Sequence, residues 1–238
     1  MLSIVIPAYN EEKRINNILN EYVKYFDNHS LKYEIIVVCD GTDRTHEIAK
    51  EFGAITIRYP HRLGKGKAVR YGLMMCSGDI LGFVDADNSI TPEDAHKIIK
   101  GLKEADCSIA SRKMHDSIVV VNERGFIYNL FMCLLSWVMN FMVNRMFMLN
   151  IKDTQCGAKF FKRKVYESIR NELELNGWAF DVELLLKIKQ HGYKIKETGV
   201  VWIYKANSKL SIFNSFGMLK EIIKLKRKCK VGGEEYHS

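Results

Sequence analysis

The chain has 238 residues, 47% hydrophobic and 27% charged, with 36 Lys and Arg against 28 acids and a formal net charge of +8. That length supports one domain with a sizeable core, alone or with an appendage, and the composition excludes disorder, a collagen repeat and a disulfide scaffold. A basic surface favours anionic partners (nucleotides, nucleic acid or anionic lipid) without choosing among them.

Met1 to Tyr9 lacks a basic start, and its apolar run ends early at Pro7. It reads as a buried strand opening the fold, not as a signal peptide. The first half then alternates. Apolar, β-branched runs at 2–7, 34–39, 54–59, 79–84 and 105–111 predict strands. Helix-period segments at 11–26, 43–52, 65–75 and 91–102 separate them, the last with Thr91 as N-cap and Pro92 at its first position. Continuous apolar strands between amphipathic helices predict an α/β fold with a mostly parallel sheet covered on both faces. Ligands of such sheets bind beyond the carboxyl ends of the strands.

The loops leaving the strands are therefore the informative segments. Pro7-Ala8-Tyr9-Asn10-Glu11, Asp40-Gly41-Thr42-Asp43, Asp85-Ala86-Asp87 and Ser111-Arg112 come after strands one, two, four and five. Carboxylates and an arginine thus converge on one rim. Two acids one residue apart at a strand tip suit a hard divalent cation, Mg²⁺ or Mn²⁺, that bridges to substrate phosphates. Read alone, the same Asp-x-Asp is also compatible with a solvated turn. Asp40 could meet a nucleobase or ribose, or serve as a turn Asp before a helix. Leu63-Gly64-Lys65-Gly66-Lys67 is not a P-loop, because Ala68 stands where Ser or Thr is required and the upstream Gly is missing. A basic glycine loop at a helix start is still expected to help hold a diphosphate. Arg112 and Arg124 are candidates for clamping a phosphate, or for surface ion pairs.

Residues 126–149, FIYNLFMCLLSWVMNFMVNRMFML, hold half of the ten methionines. Asn129, Ser136, Asn140 and Asn144 trace one narrow stripe, and the rest of the circumference is apolar. Such a helix lies in the membrane interface, or is buried in a core or dimer contact. The stretch 220–230, KEIIKLKRKCK, is a basic amphipathic helix suited to anionic lipid or to plain solvation. The six cysteines form no CxxC pair and have no His at ligand spacing, so a zinc site is not expected. They read as reduced core thiols of a cytosolic protein. A nucleic-acid module would explain the charge but neither the paired carboxylates nor the apolar helix, so no nucleic-acid partner is expected.

In order and spacing, these loops resemble the inverting glycosyltransferases of the GT-A fold. Asp153-Thr154-Gln155-Cys156-Gly157-Ala158-Lys159 and Trp178-Ala179-Phe180-Asp181-Val182-Glu183-Leu184-Leu185 narrow the resemblance to dolichyl-phosphate sugar synthases, closer to the glucosyl than the mannosyl type. The resemblance implies a Rossmann-like GT-A catalytic domain over 1–210 that includes the 126–149 helix, followed by a basic helix and tail over 211–238. It implies that Pro7, Ala8, Tyr9, Glu11, Asp40, Lys65, Asp85 and Ala86 hold the nucleotide sugar. Asp85 and Asp87 would bind the metal and diphosphate, and Arg112 and Arg124 the lipid phosphate. Gln155, Trp178 and Lys209 would contact the sugar or leaving group, with Lys209 on a loop that closes. Relatives often carry a second acid where Gly41 stands and a Gln where Ser89 stands.

The reaction implied moves a hexose from a nucleotide diphosphate sugar to polyprenyl (dolichyl) phosphate with inversion. The favoured donors are UDP-glucose and UDP-N-acetylglucosamine, with GDP-mannose behind. The alternative is a soluble transferase acting on a hydroxyl, which would need Asp181 as its base. A phosphate acceptor is already ionised at neutral pH, so Asp181 and Glu183 are expected to orient the sugar or arginines instead. The expected location is the cytoplasmic face of a membrane, held peripherally by the 126–149 helix and the basic tail. The oligomeric state is left open.

Overall fold

The computed structural model describes residues 1–120, 126–203 and 212–231, with backbone alone at 126–133, 212–216 and 230–231. The strands are β1 (Leu2–Ala8), β2 (Tyr33–Asp40), β3 (Ile55–Tyr59), β4 (Ile80–Val84), β5 (Cys107–Ser111), β6 (Ile118–Val120), β7 (Ala158–Lys162), β8 (Ile195–Gly199) and β9 (Val201–Ile203). The helices are α1 (Ile15–Asn28), α2 (Thr45–Glu51), α3 (Lys65–Met75), α4 (Pro92–Lys100), α5 (Phe126–Phe147), α6 (Arg163–Ile169), α7 (Phe180–Gln190) and α8 (Ile212–Val231). All five strands and four helices expected in the first half are present, with small shifts at their ends.

Seven strands form one sheet in the order β3-β2-β1-β4-β7-β5-β8. Neighbours are parallel except around β7, which runs antiparallel to both β4 and β5. A parallel ribbon of β6 and β9 stands apart from that sheet. Adjacent residues of each central strand point to opposite faces, and both faces are covered. Ile4, Ile6, Ile35 and Val37 pack with α1 and α4. Val5, Ile36, Val38 and Phe83 pack with α3, α6, α7 and the inward sides of α5 and α8. Such burial on both faces requires the continuous apolar strands seen in the sequence.

The antiparallel β7 positions the site. Val84 at the end of β4 pairs with Ala158 at the start of β7. The residues just before β7 therefore lie beside those just after β4. Parallel strands alone would place only strand ends on that rim.

On α5, Asn140 and Asn144 of the polar stripe point inward. Asn140 donates to the carbonyls of Ile151 (3.2 Å) and Lys152 (2.7 Å) and accepts from the Thr154 amide (3.0 Å). Asn144 donates to Ile151 O (2.8 Å) and accepts from Ile151 N (3.0 Å). Met139, Val143 and Phe147 are buried, whereas Leu134, Trp137, Val138 and Phe141 are exposed. α8 buries Met218, Ile222, Leu225 and Cys229 in the same core and leaves Lys220, Lys224, Arg227 and Lys228 outside. Among the described residues, no helix is long and apolar enough to cross a membrane.

Candidate active site

The first strand delivers Pro7 and Ala8, in register with Val38 and Cys39 of β2. Just beyond, the guanidinium of Arg62 lies 4.7 Å from the centre of the Tyr9 ring. Glu11 is buried and held by Arg14, whose Nε and Nη2 donate to it at 2.7 and 2.9 Å. Asp40 ends β2 and accepts from the Leu63 amide at 2.8 Å. Burial raises its pKa, against the pull of the Leu63 and Gly64 amides. Asp40 thus ties the 61–64 loop to the rim, a structural duty beside any contact with a nucleotide.

Asn10 has a positive φ of 49° and its Oδ1 accepts from Thr42 N at 3.0 Å. A Cβ on Gly41 would lie 2.0 Å from that oxygen. Any side chain at position 41 would require Asn10 to leave this conformation.

Asp85 and Asp87 come directly after β4. The Asp85 amide donates to Gly157 O at 3.0 Å, and Asp87 Oδ1 accepts from Ser89 N at 3.0 Å. Ala86 between them is buried. Asp85 keeps 26% of its side chain exposed, enough for a ligand to reach it. Burial pushes its pKa up to about 6; Lys65 opposes the rise and the Asp87 charge adds to it. A Cβ on Gly157 would stand 2.1 Å from Asp85 Oδ2, so glycine there leaves the carboxylate its space. Among the described residues no cluster of three or more His, Cys, Asp or Glu forms a closed metal cage. Two carboxylate oxygen donors with an open side fit a hard dication that completes its shell with phosphate and water oxygens.

In the glycine loop the backbone amides of Gly66 and Lys67 are engaged within the protein. Gly66 N donates to Gly177 O and Lys67 N to Asn176 O, both at 3.2 Å. The start of α3 is thus committed to the 176–177 backbone and is not an open anion site. Only the Lys65 side chain reaches the rim. Its Nζ lies 3.0 Å from Asp85 Oδ1 and 3.0 Å from Asp181 Oδ2. The rings of Phe83 and Trp178 flank it at 5.5 and 5.6 Å. Burial opposes the ammonium charge, but the two carboxylates outweigh it and raise the Lys65 pKa.

Asp181 faces two lysines. Its Oδ1 accepts from Lys159 Nζ at 2.6 Å, and Lys159 also donates to Cys156 O at 2.8 Å. The Lys159 side chain is fully buried. Burial pushes the Asp181 carboxyl up, yet Lys159 and Lys65 pull it below the usual carboxylate range. Glu183 is buried and accepts from the amides of Glu174 (3.0 Å) and Leu175 (2.9 Å). It shapes the loop before α7.

Arg112 is gripped by Asp153, with Nε to Oδ2 at 2.7 Å and Nη2 to Oδ1 at 2.9 Å. Its guanidinium also lies 5.0 Å from the Trp202 ring centre. Gln155 sits between Asp153 and Gly157, and its buried Nε2 has no hydrogen-bond partner among the described residues. Arg124 and Lys209 lie outside the described residues. Lys159 escapes sequence reasoning, because nothing local marks a lysine in AKFFK as buried.

Residues 3–170 match Glycosyl transferase family 2. A dolichyl-phosphate beta-glucosyltransferase of Trichomonas vaginalis is 32% identical over 244 residues, covering 95% of this chain and 72% of the relative. The dolichyl-phosphate beta-glucosyltransferase of Homo sapiens is 32% identical over 237 residues, covering 90% and 71%. Among solved structures, glucosyl-3-phosphoglycerate synthase from Mycobacterium tuberculosis, in complex with Mn²⁺, UDP and its product, aligns with a TM-score of 0.65 at 21% identity, covering 97% of this chain and 80% of that one. Mannosyl-3-phosphoglycerate synthase from Rubrobacter xylanophilus gives 0.68 at 16%, covering 100% and 77%. The structural likenesses establish the GT-A-like fold. Joined to the family match and to relatives this similar over most of their length, they lead to one assignment: the chain belongs to glycosyl transferase family 2 and is an inverting glycosyltransferase related to the dolichyl-phosphate beta-glucosyltransferases.

Proposed function

We propose that this enzyme transfers glucose from UDP-glucose to dolichyl phosphate or a similar polyprenyl phosphate. One observation carries the reading beyond kinship: both oxygens of Asp181 are taken by lysine ammoniums. Asp181 is the carboxylate that a hydroxyl acceptor would need as its base, and here it is committed elsewhere. A phosphate monoester has a second pKa of about 6 and arrives ionised. It needs placement more than deprotonation.

The rim residues divide the work. Pro7, Ala8, Tyr9, Glu11 and Asp40 line the nucleotide end. Asp85 and Asp87 would hold a divalent cation, which when bound supplies Lewis-acid stabilisation to the departing diphosphate. The Lys65 ammonium lies beside that pair and adds positive charge at the same place. Arg112, fixed by Asp153, presents its guanidinium on the neighbouring loop as a candidate for the acceptor phosphate. A phosphate oxygen attacks the anomeric carbon as its bond to the diphosphate breaks, through an oxocarbenium-like state. Attack from the opposite face turns an α-linked donor into a β-linked lipid product and releases the nucleoside diphosphate.

The exposed Leu134, Trp137, Val138 and Phe141, together with the basic outer face of α8, support a peripheral seat on the membrane holding the acceptor. The test is incubation of purified enzyme with radiolabelled UDP-glucose, UDP-N-acetylglucosamine and GDP-mannose, each with polyprenyl phosphate or polyprenol. Label should enter the lipid only from UDP-glucose and only with the phosphate. Efficient glucosylation of the free alcohol, or transfer from another donor only, overturns the reading.

A further inference from the structure

The lysines and aspartates behind the rim form one continuous electrostatic chain. Lys159 binds Asp181, Asp181 binds Lys65, and Lys65 binds Asp85, through contacts of 2.6, 3.0 and 3.0 Å. Two ammoniums meet two carboxylates within this chain, and Asp87, whose charge acts on Asp85, leaves the site one negative charge over. Side-chain exposure is 0% for Lys159, 3% for Asp181 and 6% for Lys65, so water screens these charges poorly. Phe83 and Trp178 wall the Lys65 ammonium, and Phe83 also lies against that of Lys159.

We propose that Lys65 is a resident counter-cation: its ammonium occupies Asp85 until a metal–nucleoside diphosphate complex arrives, so that a divalent metal without nucleotide binds weakly. The inference rests on the reading of Asp85 and Asp87 as the metal pair. A dication approaching Asp85 alone meets a carboxylate whose Oδ1 an ammonium already holds. It must then sit beside that ammonium in a poorly screened pocket, and like charges there repel strongly. A nucleoside diphosphate removes the conflict, since its oxygens can face the dication and Lys65 together. Lys65 need not travel far. Asp181 holds it by a second oxygen contact, and Lys159 fixes Asp181 from behind. Released from Asp85, Lys65 stays tethered at the mouth of the site and points at the incoming diphosphate. Metal and nucleotide then strengthen each other's binding by the same factor, as linkage requires.

The experiment measures Mn²⁺ binding, by the electron paramagnetic resonance signal of free Mn²⁺, to wild type and to Lys65→Met, with and without UDP. Wild type should bind Mn²⁺ at least about tenfold more tightly with UDP than without it. Lys65→Met should bind Mn²⁺ alone at least about tenfold more tightly than wild type does, and UDP should enhance its Mn²⁺ binding by a smaller factor than in wild type. If wild type binds Mn²⁺ with UDP while Lys65→Met gains nothing alone, the counter-cation is refuted and the metal pair stands. If wild type retains no Mn²⁺ even with UDP, the metal pair itself is refuted and the inference falls with it. Should Lys65→Met fail to fold, a crystal structure of wild type with Mn²⁺ and UDP decides. Lys65 Nζ must then have left Asp85 while keeping Asp181; an intact Lys65–Asp85 contact overturns the proposal.

Discussion

Gly157 governs the position of the Asp85 carboxylate. Any Cβ there would stand 2.1 Å from Asp85 Oδ2, well inside contact distance. Gly157→Ala is therefore expected to push Asp85 off its place and weaken Mn²⁺–UDP binding by more than about tenfold, while the melting temperature falls only slightly. Calorimetric titration with Mn²⁺ and UDP beside a melting curve checks both halves. Asp153 offers a second residue-scale test, in pH. Burial raises its carboxyl pKa, but Arg112 outweighs that and holds it below the ordinary carboxylate value. An acid depressed in the folded state contributes stability that is present above its unfolded pKa, about 4, and lost as pH falls through the folded value. Asp153→Ala breaks a largely buried pair and should cost about 3 kcal/mol at pH 7. The gap between its melting temperature and that of wild type should close as pH drops below about 4. A gap that stays constant down to acid pH would show that the Arg112 pair contributes nothing.

At the scale of elements, α5 is the informative case. The aligned asparagines are visible in the sequence, but their direction is not. A polar stripe on an apolar helix ordinarily meets water. Here Asn140 and Asn144 turn inward because the backbone groups of the 151–154 loop need partners, and the sequence carries no sign of that need. The outcome leaves Leu134, Trp137, Val138 and Phe141 on the outer side, with Trp137 stacked on Phe141 at 5.7 Å. Replacing both aromatics, Trp137→Glu with Phe141→Glu, should leave the melting temperature in place. Co-flotation with vesicles of phosphatidylcholine and phosphatidylserine should fall by more than about tenfold, since each buried aromatic contributes about 2 kcal/mol. Unchanged flotation would remove α5 from the membrane contact. The parallel strands are legible for the opposite reason: burial on both faces demands unbroken apolar runs, and β1, β2 and β4 have them. β7 is not legible, because a lysine as the second of its five residues disguises it. Its Lys159 is buried only because Asp181 lies opposite, a pairing of residues 22 apart that no local pattern reveals. The Asp85–Asp87 pair is legible since strand-end acids stand out against an apolar strand, whereas the lysines that pair with Asp85 and Asp181 do not.

For the whole molecule, the +8 net charge is distributed usefully. The apolar side of α8 is taken up by the core, so Lys220, Lys224, Arg227 and Lys228 are displayed outward. Each such charge near an anionic leaflet contributes about 1 kcal/mol, screened by salt. Raising NaCl from about 0.05 M to about 0.5 M should therefore strip much of the enzyme from phosphatidylserine vesicles, with little change on neutral ones, which offer α8 no opposite charge. Equal salt sensitivity on both vesicle types would count against α8. The sheet order has a further bearing, on how the chain is born. β4 pairs with β1 on one side, but its other neighbour is β7, which comes after α4, β5 and α5 in the sequence. On the ribosome, the hydrogen-bonding flank of Ile80–Val84 stays bare while all of that intervening chain emerges, and β5 has no neighbour to dock on until β7 fills the gap between them. A nascent chain that formed β1–β4 before β7 emerged would carry an open, apolar strand border, the kind that recruits wrong partners. Arrival of Ala158–Lys162 closes that border, and with the same movement it carries Gly157 in beside Asp85.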